Sequence, residues 1–172
     1  SEFSPLYSCG GTNNGQHTNQ VMVPDTVYRQ NGYSLLTSII DVDDEYSHVL
    51  ALASNGTVWA WGEGNWGQLG DSTNISFRQF PWPVKGENGQ GSLTNVKEIS
   101  VGYYHSIFLM NDSTVMACGY NTNGQLGDNS TSHRNFLQKV HGVQNVGYLN
   151  DITAISAGSD FCLALRADST IV

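Results

Sequence analysis

Apolar residues in this chain fall in short runs bounded by Gly, Asn, Asp and Ser, with the alternation expected of β-strands. The run Ser47-His48-Val49-Leu50-Ala51-Leu52 is followed by Asn55-Gly56 and then by Thr57-Val58-Trp59-Ala60-Trp61. Two such runs across an Asn-Gly connection predict a β-hairpin, because Asn and Gly reach the positive φ of a tight turn at little cost. The same order returns as 105–110, then Asn111-Asp112-Ser113, then 114–118. Val96 to Val101 predicts a third strand, and the neighbourhood of Pro83-Val84 a fourth. No segment carries helical spacing of its apolar positions.

These runs repeat in register. Val27, Val84 and Val140 each stand 21 residues before a second landmark, His48, His105 or Phe161. Leu36, Leu93 and Leu149 align between them, as do Ile39, Val96 and Ile152. His48 and His105 lie 57 residues apart, and His105 and Phe161 lie 56 apart. Length varies in one place only, between the Gly preceding Gln and the next landmark Val. The segments 16–26, 68–83 and 125–139 are therefore expected to be variable surface. About four short strands per repeat is the pattern of a propeller blade.

Each repeat carries a motif. Trp-Gly-x-Gly-x-x-Gly-Gln-Leu-Gly-Asp at 61–71 returns as Cys-Gly-x-Asn-x-x-Gly-Gln-Leu-Gly-Asp at 118–128, with a weaker copy at 9–17. With the upstream His-x-x-x-Leu and Asn-Gly-x-Val-x-x-Trp-Gly elements, residues 47–71 and 104–128 resemble the regulator of chromosome condensation repeat. The resemblance implies an all-β fold of four-stranded antiparallel blades, usually seven to a ring. Cys9 and Cys118 replace the usual Trp, Phe161 the usual His, Glu45 the Gly found at 102 and 158, and His17 interrupts the first Gln-Leu-Gly.

The expected organisation is a single repeat array over 1–172, with repeats at about 4–48, 49–105 and 106–161, a partial copy at 162–172, and Ser1-Glu2-Phe3 as a cloning remnant. Asp168 to Val172 aligns with Asp112 to Met116, and Leu6 to Gly10 with Val115 to Gly119. Three blades are too few for a ring, since propellers close with four to eight. Two expectations stay open: a fragment of a longer, seven-bladed propeller, or self-association in which two chains give six blades.

Composition narrows the function. Seven basic against fifteen acidic residues give a net charge of −8. Phosphate-backbone binding needs clustered Lys and Arg, so nucleic acid is excluded as a partner. No apolar stretch approaches the roughly 20 residues of a membrane helix. Cys9, Cys118 and Cys162 read as small buried apolar groups, which favours a reducing compartment, cytoplasmic or nuclear, over the one suggested by sequons at Asn55, Asn74, Asn111 and Asn129. His48 and His105, being repeat-equivalent, read as structural. Neither a zinc pattern nor an activated nucleophile is present, so no cofactor, metal or catalytic residue is assigned. Gly62-x-Gly64-x-x-Gly67 mimics a dinucleotide fingerprint, but no helix follows it. Asp43, Asp44 and Glu45 are acidic only in the first copy and read as a solvated loop, with cation binding as the open alternative.

Surface aromatics supply the binding candidates. Trp66 takes a turn position held by Asn14 and Asn123 in the other copies. Phe77, Phe80 and Trp82 fall in the variable segment, and Tyr103 and Tyr104 precede His105. Rigid aromatics on loops are favoured anchors for proteins. The expected function is a non-enzymatic protein-interaction module. The resemblance also implies three alternatives: nucleotide exchange on a small GTPase, enzyme inhibition of the β-lactamase-inhibitor type, and ultraviolet sensing. The constant spacings leave no room for an inserted exchange wedge, and the few Arg weigh against light sensing.

Overall fold

The computed structural model describes residues 7–8, 25–29 and 34–172. Cys9, His17, the first six residues and most of 16–26 lie outside them. Among the described residues twelve strands are present: β1 (Tyr7–Ser8), β2 (Asp25–Thr26), β3 (Ile39–Glu45), β4 (His48–Ala53), β5 (Val58–Glu63), β6 (Phe77–Pro83), β7 (Val96–Val101), β8 (His105–Met110), β9 (Val115–Gly119), β10 (Arg134–Lys139), β11 (Ile152–Ala157) and β12 (Cys162–Arg166). They form antiparallel meanders. Blade 1 is β3-β4-β5-β6 and blade 2 is β7-β8-β9-β10. Blade 3 is the pair β11-β12, extended where Ile171 bridges Leu165. β1 and β2 form a separate two-stranded ribbon.

The expected hairpin turn lies between β4 and β5, with Gly56 at φ 77°. Asn55 Oδ1 accepts from the Thr57 amide at 3.1 Å and hydroxyl at 2.7 Å. Asp112 with Thr114, and Asp168 with Thr170, rebuild the same side-chain bonds.

β3, β7 and β11 stand beside one another from sheet to sheet and mark the inner edges of an open arc. The Val101 amide donates to Asp43 Oδ2 at 2.8 Å, and the Ile155 amide to Glu98 Oε1 at 2.9 Å. The acidic residues 43–45 are thus in strand β3 rather than in a solvated loop. Asp43 stands at the position of Ser100, whose hydroxyl likewise accepts the Ala157 amide at 3.0 Å in the next blade. Among the described residues no group of His, Cys, Asp and Glu converges to hold a metal.

Both faces of a middle blade are buried, which explains why β4 and β8 are almost wholly apolar. Leu50 and Leu52 face blade 2, where they meet Val96, Ile99, Phe108, Met116, Cys118 and Leu137. Val49 and Ala51 face the other way, toward Val27, Leu36 and Trp61. In β8, Phe108 faces blade 1, while Ile107 and Leu109 face Ile152, Ile155 and Ala164 of blade 3. Each fully buried Leu or Phe contributes about 1.5–3 kcal/mol, so the stacking of blades rather than any single sheet holds the arc together.

The segments 68–83 and 125–139 are not surface loops throughout. Gln68, Leu69 and Leu126 are buried, and the far ends of both segments form the outer strands β6 and β10. Length varies only between Asp71 and Arg78, and between Asp128 and Arg134. The Arg78 guanidinium donates to Asp71 Oδ2 at 2.8 and 2.6 Å, and Arg134 to Asp128 Oδ2 at 2.8 Å. Each pair clamps the base of a loop whose tip is free to differ.

Candidate functional site

The repeat motif itself builds the wall of the site. A Cβ at Gly62 would lie 2.6 Å from the Ser47 carbonyl oxygen, so only glycine lets β5 pass this close to the β3–β4 turn. Gln68 folds back so that its Oε1 accepts the Trp66 amide at 3.0 Å, and Gln125 does the same for Asn123 at 3.1 Å. The motif therefore fixes a rigid turn and presents the side chain at 66 on its outside.

Six rings form a connected surface at this end of blades 1 and 2. Tyr46 lies 4.5 Å from Tyr103, centroid to centroid, and edge-on to Tyr104 at 5.9 Å. Tyr103 and Tyr104 are 5.9 Å apart, and Tyr104 and Tyr120 6.2 Å. Tyr120 stacks on His133 at 4.7 Å, and Trp66 stands edge-on to both, at 5.1 and 4.9 Å. Tyr46 is 65 % exposed and Trp66 38 %. Burial, then the neighbouring Tyr46 and Glu63, push the Tyr104 hydroxyl above its ordinary range. It stays protonated at neutral pH.

The sequence candidates divide. Trp66, Tyr103 and Tyr104 come together in this ladder. Phe77, Phe80 and Trp82 do not: they lie on strand β6 rather than in a loop, because 77–83 pairs with β5. Phe77 begins β6 opposite Glu63 and is exposed; Phe80 is half-buried. Trp82 carries the Arg78 guanidinium over its ring at 4.3 Å, so it supports the Asp71 clamp. Tyr46, Tyr120 and His133 complete the ladder without having been singled out in the sequence. Tyr46 could have been found as the repeat equivalent of Tyr103.

A second constellation brings an imidazole to a thiol. His105 Nε2 lies 3.1 Å from Cys162 Sγ. Burial pushes the Cys162 thiol up to about 12 and His105 down to about 4. Both shifts oppose a thiolate–imidazolium pair. The arrangement also repeats: His48 Nε2 lies 2.7 Å from the Ser106 hydroxyl, with His48 lowered by burial to about 3. Ser106 in turn donates to the Gln68 carbonyl at 2.8 Å. These are neutral latches between successive blades.

The chain's affinities agree with this architecture. The regulator of chromosome condensation (RCC1) repeat matches residues 55–109 and 112–165, and a second model of that repeat matches 96–125. The human E3 ubiquitin-protein ligase HERC2 is 28% identical over 142 residues, 83% of this chain and 3% of that protein. The human probable E3 ubiquitin-protein ligase HERC6 is 34% identical over 131 residues, 71% and 12% respectively. The ultraviolet-B receptor UVR8 of Arabidopsis thaliana is 32% identical over 98 residues, 57% and 21%. The chain thus spans a small part of each. Among solved structures, Prp20p of Saccharomyces cerevisiae superposes with a TM-score of 0.73 at 17% identity, over 97% of this chain and 40% of that one. Human WBSCR16 gives 0.70 at 22% identity, over 93% and 40%. The sheets do not close, as in an incomplete propeller. Repeat register, blade architecture and matched residues agree: the chain belongs to the regulator of chromosome condensation repeat family of β-propellers.

Proposed function

We propose that this chain is a non-enzymatic protein-interaction module that docks a basic segment of a partner across the aromatic ladder of blades 1 and 2. The observation that carries the reading is the continuous run of six rings, from Tyr46 to Trp66, on one rim. Glu63 stands beside it and Glu45 adjoins it in the chain. Exposed aromatic faces attract Lys and Arg, each contact contributing about 0.5–1 kcal/mol at exposed sites, and the net charge of −8 draws the same partners. Protein binding is also what is recorded for a structural neighbour: yeast RCC1 (Prp20) has been seen bound to Kap60. Prp20p has also been described in terms of binding to Gsp1p and histones.

Fluorescence titration with a Lys/Arg-rich peptide and an Asp/Glu-rich peptide of equal length tests this. The basic peptide should bind preferentially, and Trp66→Ala and Tyr103→Ala should each weaken it roughly tenfold. Trp82→Ala should leave it unchanged. Equal binding by Trp66→Ala and the parent chain would refute the docking surface. Accelerated nucleotide release from a small GTPase would favour the exchange reading instead.

The seam between blades 1 and 2 is filled by the outer strand β10, whereas among the described strands the seam between blades 2 and 3 is lined on its blade 3 side by β11 and β12.

A further inference from the structure

We propose that a cavity at one end of blade 1 is a binding site for a small carboxylate, held by the guanidinium of Arg29. The site is separate from the aromatic ladder. Tyr46 lies in the turn before β4, whereas the cavity gathers around the turn after β4, where Ala53, Ser54 and Asn55 lie.

The chain already holds one carboxylate in this way. The Arg78 guanidinium lies over the Trp82 ring at 4.3 Å and donates through Nε and Nη2 to Asp71 Oδ2 at 2.8 and 2.6 Å. The ring holds the plane of the guanidinium, and its planar edge grips the carboxylate. Arg134 grips Asp128 through the same nitrogen, Nε, at 2.8 Å.

Arg29 repeats the arrangement without the carboxylate. Its guanidinium lies over the Trp59 ring at 5.2 Å. Its Nε is buried and has no hydrogen-bond partner, and among the described residues no Asp or Glu pairs with it. A buried donor of a charged group is costly when unpaired, so this nitrogen favours any acceptor that reaches it.

The surroundings define that acceptor. The cavity has a volume of about 380 Å³, in the range of small-molecule sites. Val58, Trp59, Pro83 and Leu93 give it apolar walls, and Thr37, Ser38, Ser54 and Ser92 bring hydroxyl donors. Among the described residues neither an acidic side chain nor a second cation lines it. One guanidinium matches one negative charge, whereas a phosphate dianion would stand half-neutralised in a chain of net charge −8. The fit is a monocarboxylate with a short apolar body, carried by a free acid or by the end of a peptide. These walls belong to blade 1, whose four strands are all present, and to the connections 27–38 and 84–95 that flank it.

NMR titration of the 172-residue chain with butyrate tests it, with butylamine and inorganic phosphate as controls. Butyrate should shift the Arg29 Nε–H and Trp59 indole N–H signals saturably, with a dissociation constant of about 1–10 mM. Butylamine should shift neither, and phosphate should bind roughly tenfold more weakly. Arg29→Lys should weaken butyrate roughly tenfold, because an ammonium lacks the planar fork. Arg29→Met should abolish the Trp59 shift without lowering the thermal midpoint or changing the binding of a Lys/Arg-rich peptide. A short peptide ending in a Leu carboxylate that binds more tightly than butyrate assigns the site to chain termini, and weaker binding assigns it to free acids. No shift with butyrate or peptide, the same shift in Arg29→Met, or tighter binding of phosphate would overturn the carboxylate site. Each of those results leaves the ladder, which Trp66→Ala tests, standing.

Discussion

The two seams are built from the same repeat, yet one is packed and the other half-built. Both carry an imidazole latch, His48 to Ser106 and His105 to Cys162. Both join inner strands through a side-chain acceptor. They part company at the outside. Met116, Cys118 and Leu137 complete the core of the first seam, whereas the core of the second includes Ala164 of β12 but nothing beyond β12 of blade 3. The inner half of a seam therefore forms from two strands alone, while the outer half depends on a further pair.

The largest expected effect is of pH, because it acts on both latches at once. Folded His48 and His105 titrate near 3 and 4, below the ordinary 6.5. Between those values and 6.5 the unfolded chain binds protons that the folded chain refuses. Stability is full above 6.5 and falls as pH drops. At pH 5 each histidine should account for a loss of about 2 kcal/mol. Urea unfolding at pH 7 and 5 measures the drop. His48→Gln and His105→Gln should each shrink it by about half. A pH-independent midpoint would mean the latches are not buried neutral.

Gly67→Ala should come next, at about 3 kcal/mol, because its Cβ meets backbone that cannot move aside. Gly124→Ala should cost only the positive-φ penalty of about 1 kcal/mol in the isolated chain. Equal losses by calorimetry would erase the distinction between the seams. Removing the loop clamps should separate them less. Asp71→Ala should cost about 2–3 kcal/mol, since it leaves Arg78, 18 % exposed, without its partner, and Asp128→Ala about 1–2 kcal/mol, since Arg134 is 30 % exposed. In Asp128, burial works against ionisation, but bonds from Arg134, Ser130 and Asn121 prevail and hold the carboxyl below its usual range. The smallest effect is Trp66→Asn, which copies the open seam's Asn123. It should lower stability by about 0.5–1 kcal/mol while removing the docking anchor.

Repeat spacing made much of this legible. Strand positions, the Asn55-Gly56 turn and the structural role of His48 follow from alternation and period alone, since these positions have fixed separations. The clamps were not legible, because Asp and Arg lie seven residues apart in one copy and six in the other, so no constant spacing exposes them. The ladder was half legible. Trp66 and the Tyr103-Tyr104 pair stand out, but Tyr46, Tyr120 and His133 arrive from three other turns that only folding brings together. Trp82 misled for the opposite reason. Its place in the segment of variable length pointed to a loop, while pairing to β5 draws it onto an outer strand beneath Arg78.

The matched repeat 55–109 begins just before β5 and ends within β8, so its boundaries fall inside two sheets. Each repeat contributes the outer half of one blade and the inner half of the next. No covalent joint between repeats coincides with a gap between sheets. Melting any one repeat must tear two blades open, which ties neighbouring blades into one cooperative unit. Gain or loss of a whole repeat in evolution would change the ring by one blade without leaving a sheet split.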